Sequence, residues 1–304
     1  MINVLVTGGN GFVGAAFCKE FKRTHIDVNV FAPSSKELNL LDYKSVTDFL
    51  STNKITHIVH LAARLGGVHL VSNKPLEYLE SNLMINYNIV RAARESKIER
   101  FITLGSSCSY SEEMPLPNVE TQLWHGYPEN SYGICKLVLL EHLEKQNEFE
   151  WAYLIPPNIF GPGDHFGEKD SHFIPATVKK IEDAVNENKK SIVVWGDGSQ
   201  TRDFVYIDDL IYFLIQSFDK DKYNHKVLNL STGIEITIKE VVVEIIHDMG
   251  LDGKIGIEWD ITKPVGSKRK KLSNLNLLKL EPNYKFTSFS DGLKKTISWY
   301  TKGI

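Results

Sequence analysis

A tyrosine and a lysine stand four residues apart in Tyr132-Gly133-Ile134-Cys135-Lys136. On a helix, this spacing puts both side chains on one face. A lysine ammonium stabilises a phenolate, so we expect Lys136 to lower the pKa of Tyr132 from its ordinary value of about 10. Tyr132 could then pass a proton to or from the oxygen of a carbonyl or an alcohol.

A serine follows an earlier predicted strand, in Leu104-Gly105-Ser106-Ser107-Cys108. Parallel strands end at one edge of a sheet, where ligands bind. We therefore expect the Ser106 hydroxyl to face the same crevice as Tyr132 and to bond the same substrate oxygen. Cys108 carries a thiol that can titrate near neutrality. Taken alone, such a cysteine is more often a buried apolar filler.

A glycine-rich turn, Thr7-Gly8-Gly9-Asn10-Gly11-Phe12-Val13-Gly14, spells G-x-x-G-x-x-G. Glycines there permit a tight turn and close approach of the backbone to a pyrophosphate. The helix that follows would offer free N–H groups at its N-terminus. Because a strand precedes the turn and a helix follows it, the pattern indicates dinucleotide binding rather than a structural turn.

The end of the second predicted strand distinguishes the two nicotinamide cofactors. An acid at this point binds the ribose 2′-hydroxyl of NAD. Here the strand ends Phe31-Ala32-Pro33-Ser34-Ser35-Lys36, and the first acid is Glu37. Two hydroxyls and a lysine suit a 2′-phosphate better, which favours NADP over NAD, although they could be plain loop residues. Further on, Asp42 could accept from the adenine amino group.

Short β-branched runs alternate with helical stretches through the first half of the chain. The predicted strands are Val4–Thr7, Asp27–Phe31, Ile55–Leu61, Phe101–Leu104 and Trp151–Ile155. The predicted helices lie near Phe12–Arg23, Tyr43–Leu50, Leu76–Glu95 and Ser131–Lys145. This alternation predicts an α/β fold, a Rossmann-type doubly wound parallel sheet.

Gly161-Pro162-Gly163 is the first break in this alternation. We assign residues 1–160 to an NADP-binding Rossmann domain. Residues 161–304 are assigned mainly to a smaller substrate lobe, from which strands can return to the sheet. The lobe is predicted to hold the strand Ser191–Trp195, the turn Gly196-Asp197-Gly198, and helices at Ile207–Phe218, Ile238–Met249 and Gly292–Thr301.

The composition is that of a folded protein, since 42% of the 304 residues are hydrophobic and 24% are charged. The formal net charge of −3 offers no positive field for nucleic acid or anionic lipid. The three cysteines include no Cys-x-x-Cys pair, and the histidines show no metal-ligand spacing, so we expect a reducing compartment and no metal. No apolar stretch approaches the roughly 20 residues that cross a bilayer. We therefore expect a cytoplasmic protein.

The glycine turn, His60-Leu61-Ala62-Ala63, Ser106 and the Tyr132–Lys136 pair together resemble the extended short-chain dehydrogenases/reductases. The resemblance covers essentially the whole chain. It implies a nicotinamide cofactor in a Rossmann domain and a nucleotide-linked sugar as substrate. It also implies a Ser106–Tyr132–Lys136 reductase triad and a homodimer formed through a four-helix bundle.

Finer motifs are similar to those of the GDP-L-fucose synthase family. These motifs are Leu61-Ala62-Ala63-Arg64-Leu65-Gly66-Gly67-Val68, Glu80-Ser81-Asn82-Leu83-Met84-Ile85-Asn86, Gly105-Ser106-Ser107-Cys108, Pro157-Asn158-Ile159-Phe160-Gly161-Pro162, Ser171-His172-Phe173-Ile174-Pro175-Ala176 and Val194-Trp195-Gly196-Asp197-Gly198. That family epimerises C3 and C5 of GDP-4-keto-6-deoxy-mannose and then reduces C4 with NADPH.

The resemblance also implies roles for individual residues. Cys108 and His172 match the family's acid/base pair, although His172 could instead be a helix N-terminal residue bonded to backbone. Besides the glycine turn, Ser34–Lys36 and Asp42, the implied cofactor-binding residues are Leu61, Ala62, Ala63, Asn82, Tyr132, Lys136 and Asn158. The implied substrate-binding residues are Ser107, Asn158, His172, Lys180, Trp195, Arg202 and Arg269. Lys180 and Arg202 would neutralise the diphosphate, while Trp195 would pack on sugar or nucleotide or belong to the core.

The chain departs from the family pattern at substrate-lobe and loop positions. Val265 replaces an acid, Ser273-Asn274 lacks another, Ser111 replaces a proline, and Tyr127-Pro128-Glu129-Asn130 differs from the usual sequence. Three alternatives to an epimerase/reductase therefore stay open. One is a C4-reductase without epimerase activity, acting on a GDP-4-keto-6-deoxy-heptose for surface polysaccharide. The others are an NAD-retaining nucleotide-sugar epimerase or dehydratase, and a non-enzymatic NADP-sensing protein, which the complete triad disfavours.

Overall fold

The computed structural model describes residues 1–64, 75–167, 171–263 and 265–302. Its centre is a sheet of six parallel strands in the order β2-β1-β3-β4-β5-β9. These strands are β1 (Ile2–Thr7), β2 (Val28–Phe31), β3 (His57–His60), β4 (Arg100–Leu104), β5 (Glu150–Ile155) and β9 (Lys226–Asn229). The predicted α/β, Rossmann-type fold is confirmed.

Helices cover both faces of this sheet. In chain order the described helices are α1 (Phe12–Thr24), α2 (Tyr43–Thr52), α3 (Pro75–Glu95), α4 (Ser131–Lys145), α5 (Phe173–Asn186), α6 (Ile207–Asp219), α7 (Ile238–Asp248), α8 (Leu275–Leu280) and α9 (Phe289–Lys302). Successive strand residues point to opposite faces, so Val4 and Val6 lie in one core cluster and Leu5 in the other. The inner strands β3, β4 and β5 are mostly apolar because both of their faces are buried, whereas the edge strand β2 is only partly buried.

Two small sheets follow residue 157. One joins β6 (Asn158–Phe160), β8 (Thr201–Tyr206) and β10 (Glu235–Thr237), and the other joins β7 (Ser191–Trp195) to β11 (Gly256–Asp260). The second half of the chain also returns to the main sheet, because β9 pairs in parallel with β5. In addition, α6 packs on α1, where the rings of Phe21 and Phe218 meet edge to face at 4.8 Å.

The three cysteines are free thiols. Within the described ranges, no helix is long and apolar enough to cross a membrane. The same ranges contain no group of three His, Cys, Asp or Glu side chains that could hold a metal ion.

Candidate active site

The strand order reverses between β1 and β3, and this switch point is where open α/β sheets bind ligands. Gly8 begins the turn after β1 with a φ of 70°, and a Cβ there would lie 2.8 Å from the Ala62 nitrogen. A Cβ on Gly14 would lie 2.1 Å from the Gly8 oxygen. Both positions therefore require glycine for the turn to pack against α1 and the chain after β3.

The N-terminus of α1 opens onto this turn. Gly11 is the N-cap residue, and within the described residues no side chain caps the helix. The first N–H groups of a helix lack intrahelical acceptors. They can donate hydrogen bonds to the oxygens of a pyrophosphate. The turn and the helix N-terminus therefore fit the dinucleotide that the sequence predicts at Gly8–Gly14.

Glu37, the first acid after β2, binds back to Ser34, a contact that the sequence did not predict. The backbone N–H and hydroxyl of Ser34 each donate to Glu37 Oε2 at 2.8 Å, and these bonds lower the pKa of Glu37. Ser35 and Lys36 are exposed. Asp42 caps α2 by accepting from the Lys44 N–H at 3.0 Å, and its contact with adenine stays a prediction.

His60, at the end of β3, links the end of β1 to α4 through Asn86. Its Nδ1 lies 2.7 Å from Thr7 Oγ1 and its Nε2 lies 3.1 Å from Asn86 Oδ1. Asn86 Nδ2 in turn donates to the Cys135 carbonyl at 3.2 Å. Complete burial, together with the charge of Lys136, lowers the pKa of His60 to about 3. His60 is therefore a neutral structural bridge.

Asn82 fixes the chain that leaves β3. Its side chain accepts from the Arg64 N–H and donates to the Arg64 carbonyl, both at 2.9 Å, and donates to Tyr78 O at 2.8 Å. This arrangement shapes the Leu61–Arg64 stretch beside the glycine turn. Residues 65–68 of the predicted motif lie outside the described residues.

Gly133 lets α4 approach the turn after β4. A Cβ on Gly133 would lie 2.0 Å from the Cys108 carbonyl oxygen. Asn130 caps the helix by accepting from the Gly133 N–H at 3.0 Å, and the Ser109 hydroxyl donates to Gly133 O at 3.2 Å. The structure thus joins the helix of Tyr132 to the turn of Cys108.

Tyr132 and Lys136 lie on one face of α4, and Lys136 Nζ is 5.5 Å from the Tyr132 ring centroid. Lys136 is 3% exposed, and burial lowers its pKa to about 8. The expected lowering of the Tyr132 pKa is not what the structure gives. Burial, together with neighbouring Cys108 and Cys135, raises that pKa, because removal from water disfavours the phenolate.

Ser106 follows β4 at the start of the Ser107–Ser109 turn, and the residue is partly exposed. Its Oγ accepts from the Cys108 N–H at 3.2 Å. That bond occupies the oxygen as an acceptor and leaves the hydroxyl hydrogen free to be donated to a substrate oxygen. Ser107 lines the adjoining pocket together with Glu129 and Lys270.

Two charged residues beside Cys108 were missed by sequence reasoning. Lys270 Nζ lies 3.8 Å from Cys108 Sγ and forms an ion pair with Glu129. The Glu129 N–H donates to the Cys108 carbonyl at 3.1 Å. Their positions in a basic run and a pre-helix loop gave no signal that they would meet.

His172 precedes α5 at the N-cap position, as the alternative prediction had it. Its partner, however, is a carboxylate, since Nδ1 lies 2.9 Å from Asp164 Oδ2 and 3.2 Å from Oδ1. Asp164 raises the pKa of His172 by accepting this hydrogen bond. Among the described residues no hydrogen bond joins His172 to Cys108.

Three of the predicted substrate residues lie on regular elements: Asn158 on β6, Lys180 on α5 and Trp195 on β7. Asn158 is exposed, and its Nδ2 donates to Asp203 O at 2.9 Å. Lys180 Nζ donates to Val193 O at 2.8 Å. Trp195 is 39% exposed, so it is not a core residue.

The two predicted arginines differ in their partners. The Arg202 guanidinium donates to the carbonyls of Thr201 and Ser267 at 2.8 Å and of Val265 at 3.3 Å. Burial lowers the pKa of Arg202, and the charges of Glu129 and Cys108 oppose this shift. Arg269 instead forms a bidentate pair with Glu235 at 3.0 and 2.6 Å. Arg269 nevertheless lines the same pocket as Ser107 and Lys270.

Several known proteins are similar to this chain over nearly its full length. The sequence model of the NAD dependent epimerase/dehydratase family matches residues 4–231. GDP-L-colitose synthase of Yersinia pseudotuberculosis is 33% identical, with 98% of each chain covered. GDP-L-fucose synthase of Escherichia coli (strain K12) is 31% identical, with 98% of this chain and 96% of that one covered.

Among solved structures, a GDP-L-fucose synthetase from Naegleria fowleri bound to NADP superposes with a TM-score of 0.88 at 25% identity, covering 99% of this chain and 93% of that one. A GDP-6-OMe-4-keto-L-xylo-heptose reductase from C. jejuni shares the fold, with a TM-score of 0.87 at 21% identity, covering 100% of this chain and 98% of that one. The chain belongs to the NAD dependent epimerase/dehydratase family, with GDP-L-fucose and GDP-L-colitose synthases among its full-length relatives.

Proposed function

We propose that this protein is an NADPH-dependent oxidoreductase that reduces the C4 ketone of a GDP-linked 4-keto-6-deoxy sugar after epimerising C3 and C5. The observation that carries the proposal is the joining of α4 to the turn after β4. It gathers Ser106, Cys108, Tyr132 and Lys136 at one end of the parallel sheet. The full-length relatives named as GDP-sugar synthases support the substrate class.

NADPH, when bound, supplies a hydride to C4 of the sugar. The glycine turn and the N-terminus of α1 would hold its pyrophosphate. Ser34, Ser35 and Lys36 would hold the 2′-phosphate, for which Glu37 competes at Ser34. Asn82 would act by shaping the Leu61–Arg64 stretch that borders the turn.

Reduction leaves a negative charge on O4 that the protein must neutralise. Burial keeps the Tyr132 phenol protonated, so Tyr132 donates its proton to O4. The Ser106 hydroxyl donates a second hydrogen bond to the same oxygen. Lys136, buried on the same face, stabilises the phenolate that remains.

Epimerisation needs the same oxygen to carry enolate charge. Cys108 as a thiolate removes the proton from the carbon next to the ketone, with the Lys270 ammonium 3.8 Å from its sulfur. Ser106 and Tyr132 stabilise the enolate at O4. His172, whose protonated form is favoured by the bond to Asp164, returns a proton to the opposite face of that carbon.

The nucleotide would be held on the β7–β8 side. Arg202 and Lys180 would neutralise the diphosphate, with Arg269 contributing if it releases Glu235. The partly exposed Trp195 would pack on the sugar or base. Val265 supplies an apolar side chain where the resembled family has an acid. The sugar that this chain accepts can therefore differ from the sugar of that family.

We further propose a cytoplasmic homodimer that acts in polysaccharide biosynthesis without nucleic-acid or membrane partners. Helices α3 and α4 lie side by side, with Tyr87 stacked on His142 at 5.8 Å. They leave Met84, Tyr87 and Val138 exposed, which suits the four-helix bundle that the resemblance implies. Free thiols suit a reducing compartment. Sedimentation analysis at several concentrations would test the dimer, and a monomer throughout would contradict it.

The substrate class is tested by following NADPH oxidation with GDP-4-keto-6-deoxy-mannose. A dTDP-linked 4-keto-6-deoxy-glucose is the control substrate, and NADH is the control cofactor. We expect oxidation with the GDP sugar and a preference for NADPH. Faster turnover of the dTDP sugar, or an equal rate with NADH, would contradict the proposal.

A further inference from the structure

We propose that Asp164 is a positioning residue that orients His172 for proton transfer to the sugar. The inference rests on the proposed function, in which His172 returns a proton during epimerisation. It goes beyond that function because it assigns a role to a buried carboxylate that no sequence motif singled out. The carboxylate holds Nδ1 of the imidazole, which leaves Nε2 as the nitrogen that meets the substrate.

Burial separates the roles of the two side chains. The Asp164 side chain is 4% exposed, whereas the His172 side chain is 59% exposed. The carboxylate is therefore shielded from a ligand that the imidazole can reach. Among the described residues no hydrogen bond to His172 Nε2 is present, so no acceptor in that part of the chain competes for its proton.

The carboxylate is itself held in place. Asp164 Oδ1 accepts from the His165 N–H at 2.8 Å. The chain just before Asp164 packs closely against the start of α6, since a Cβ on Gly161 would lie 2.2 Å from Ile207 Cγ2. Because the Asp164 carboxylate is held in place, its hydrogen bond favours one orientation of the His172 imidazole.

The chemistry that follows is that of a carboxylate–histidine pair. A bond from Nδ1–H to a carboxylate fixes the tautomer and favours the imidazolium. His172 then serves as the acid, which leaves proton removal to Cys108. Without the imidazole, the His165 N–H would be the one donor to this buried carboxylate among the described residues, an arrangement that costs stability.

The test compares Asp164→Asn with Asp164→Glu. Solvent deuterium incorporation into the product is read at C3 and C5, and a histidine NMR titration reports the protonation of His172. The matched control is Asp252→Asn, because Asp252 Oδ2 also lies 2.9 Å from a histidine Nδ1, that of His247, but both side chains are exposed.

We expect Asp164→Asn to slow deuterium incorporation at least about ten-fold and to make His172 titrate at lower pH. NADPH affinity should be unchanged, and Asp164→Glu should restore part of the incorporation. Asp252→Asn should change none of these values. Unchanged incorporation and unchanged His172 titration in folded Asp164→Asn would overturn the proposal. If the wild type incorporated no deuterium, the proposed epimerisation would fail separately, while the His172 titration would still decide whether Asp164 controls its protonation.

Discussion

The α carbon of Gly133 sits so close to the Cys108 carbonyl that a Cβ there would lie 2.0 Å from its oxygen. This approach couples the helix that carries Tyr132 and Lys136 to the turn that carries Ser106 and Cys108. Reduction and epimerisation share one substrate oxygen in our account, so we expect both to depend on this close packing.

Gly133→Ala should therefore impair both steps. The added methyl group must displace backbone, so we expect turnover to fall at least about ten-fold and the protein to lose roughly 1–3 kcal/mol of stability from overpacking. NADPH oxidation and thermal unfolding measure the two effects. Gly256→Ala is the control, because its nearest neighbour would be 3.5 Å away. Normal turnover in Gly133→Ala would show that the contact is not required.

Tyr132→Phe should abolish NADPH oxidation, since the buried phenol supplies the proton to O4. Loss of a general acid costs about 10²- to 10⁴-fold, while NADPH affinity should stay nearly intact. Fluorescence titration measures that affinity. Tyr127→Phe, at an exposed tyrosine, is the matched control. Turnover that survives in Tyr132→Phe would remove Tyr132 from the mechanism.

Cys108→Ala should block solvent deuterium uptake at C3 and C5, because the thiolate is the proposed base. Mass spectrometry or NMR of the product measures the uptake. Cys18→Ala, at a buried cysteine in α1, should leave it unchanged. Normal uptake in Cys108→Ala would contradict its role as base.

The pH profile of reduction should fall above about pH 8. Burial disfavours the Lys136 ammonium and lowers its pKa from 10.5 to about 8, so the positive charge that stabilises the Tyr132 phenolate is lost as the pH rises through that value. Measuring kcat for NADPH oxidation from pH 6 to 10 checks this, with circular dichroism at each pH to confirm that the protein stays folded. A profile that stays flat to pH 10 would contradict the assignment.

Glu37→Ala should tighten NADPH binding several-fold, because it frees the Ser34 N–H and hydroxyl that now donate to Glu37. It also removes a negative charge near the proposed 2′-phosphate site. Lys36→Ala should weaken NADPH binding and leave NADH binding unchanged. Titrations with both cofactors measure the effects. Weaker NADPH binding in Glu37→Ala would contradict the claim that Glu37 competes with the 2′-phosphate for Ser34.

Local patterns predicted most of the main sheet and its helices. The glycine turn, the Tyr132–Lys136 spacing and the apolar runs of β1 to β5 are all signals within a few consecutive residues. No range was predicted for β6, β8, β9, β10 or β11, because these strands of the second half are defined by pairing partners far along the chain.

What the sequence missed in the site depends on tertiary contact. Lys270 and Glu129 are 141 residues apart in the chain, yet they form an ion pair beside Cys108. Asp164 and His172 stand eight residues apart, a spacing that belongs to no helix or strand pattern, yet their side chains are hydrogen-bonded. The direction of the Tyr132 pKa shift was predicted wrongly for a related reason, since spacing shows the neighbouring lysine but not the burial of the phenol.

The most direct test is a reaction with GDP-4-keto-6-deoxy-mannose and NADPH in deuterated water, with the product examined by NMR. Our account predicts a C4-reduced GDP sugar carrying deuterium at both C3 and C5. Reduction without ring deuterium would leave Cys108 and His172 without a role in catalysis and would contradict the epimerase/reductase assignment.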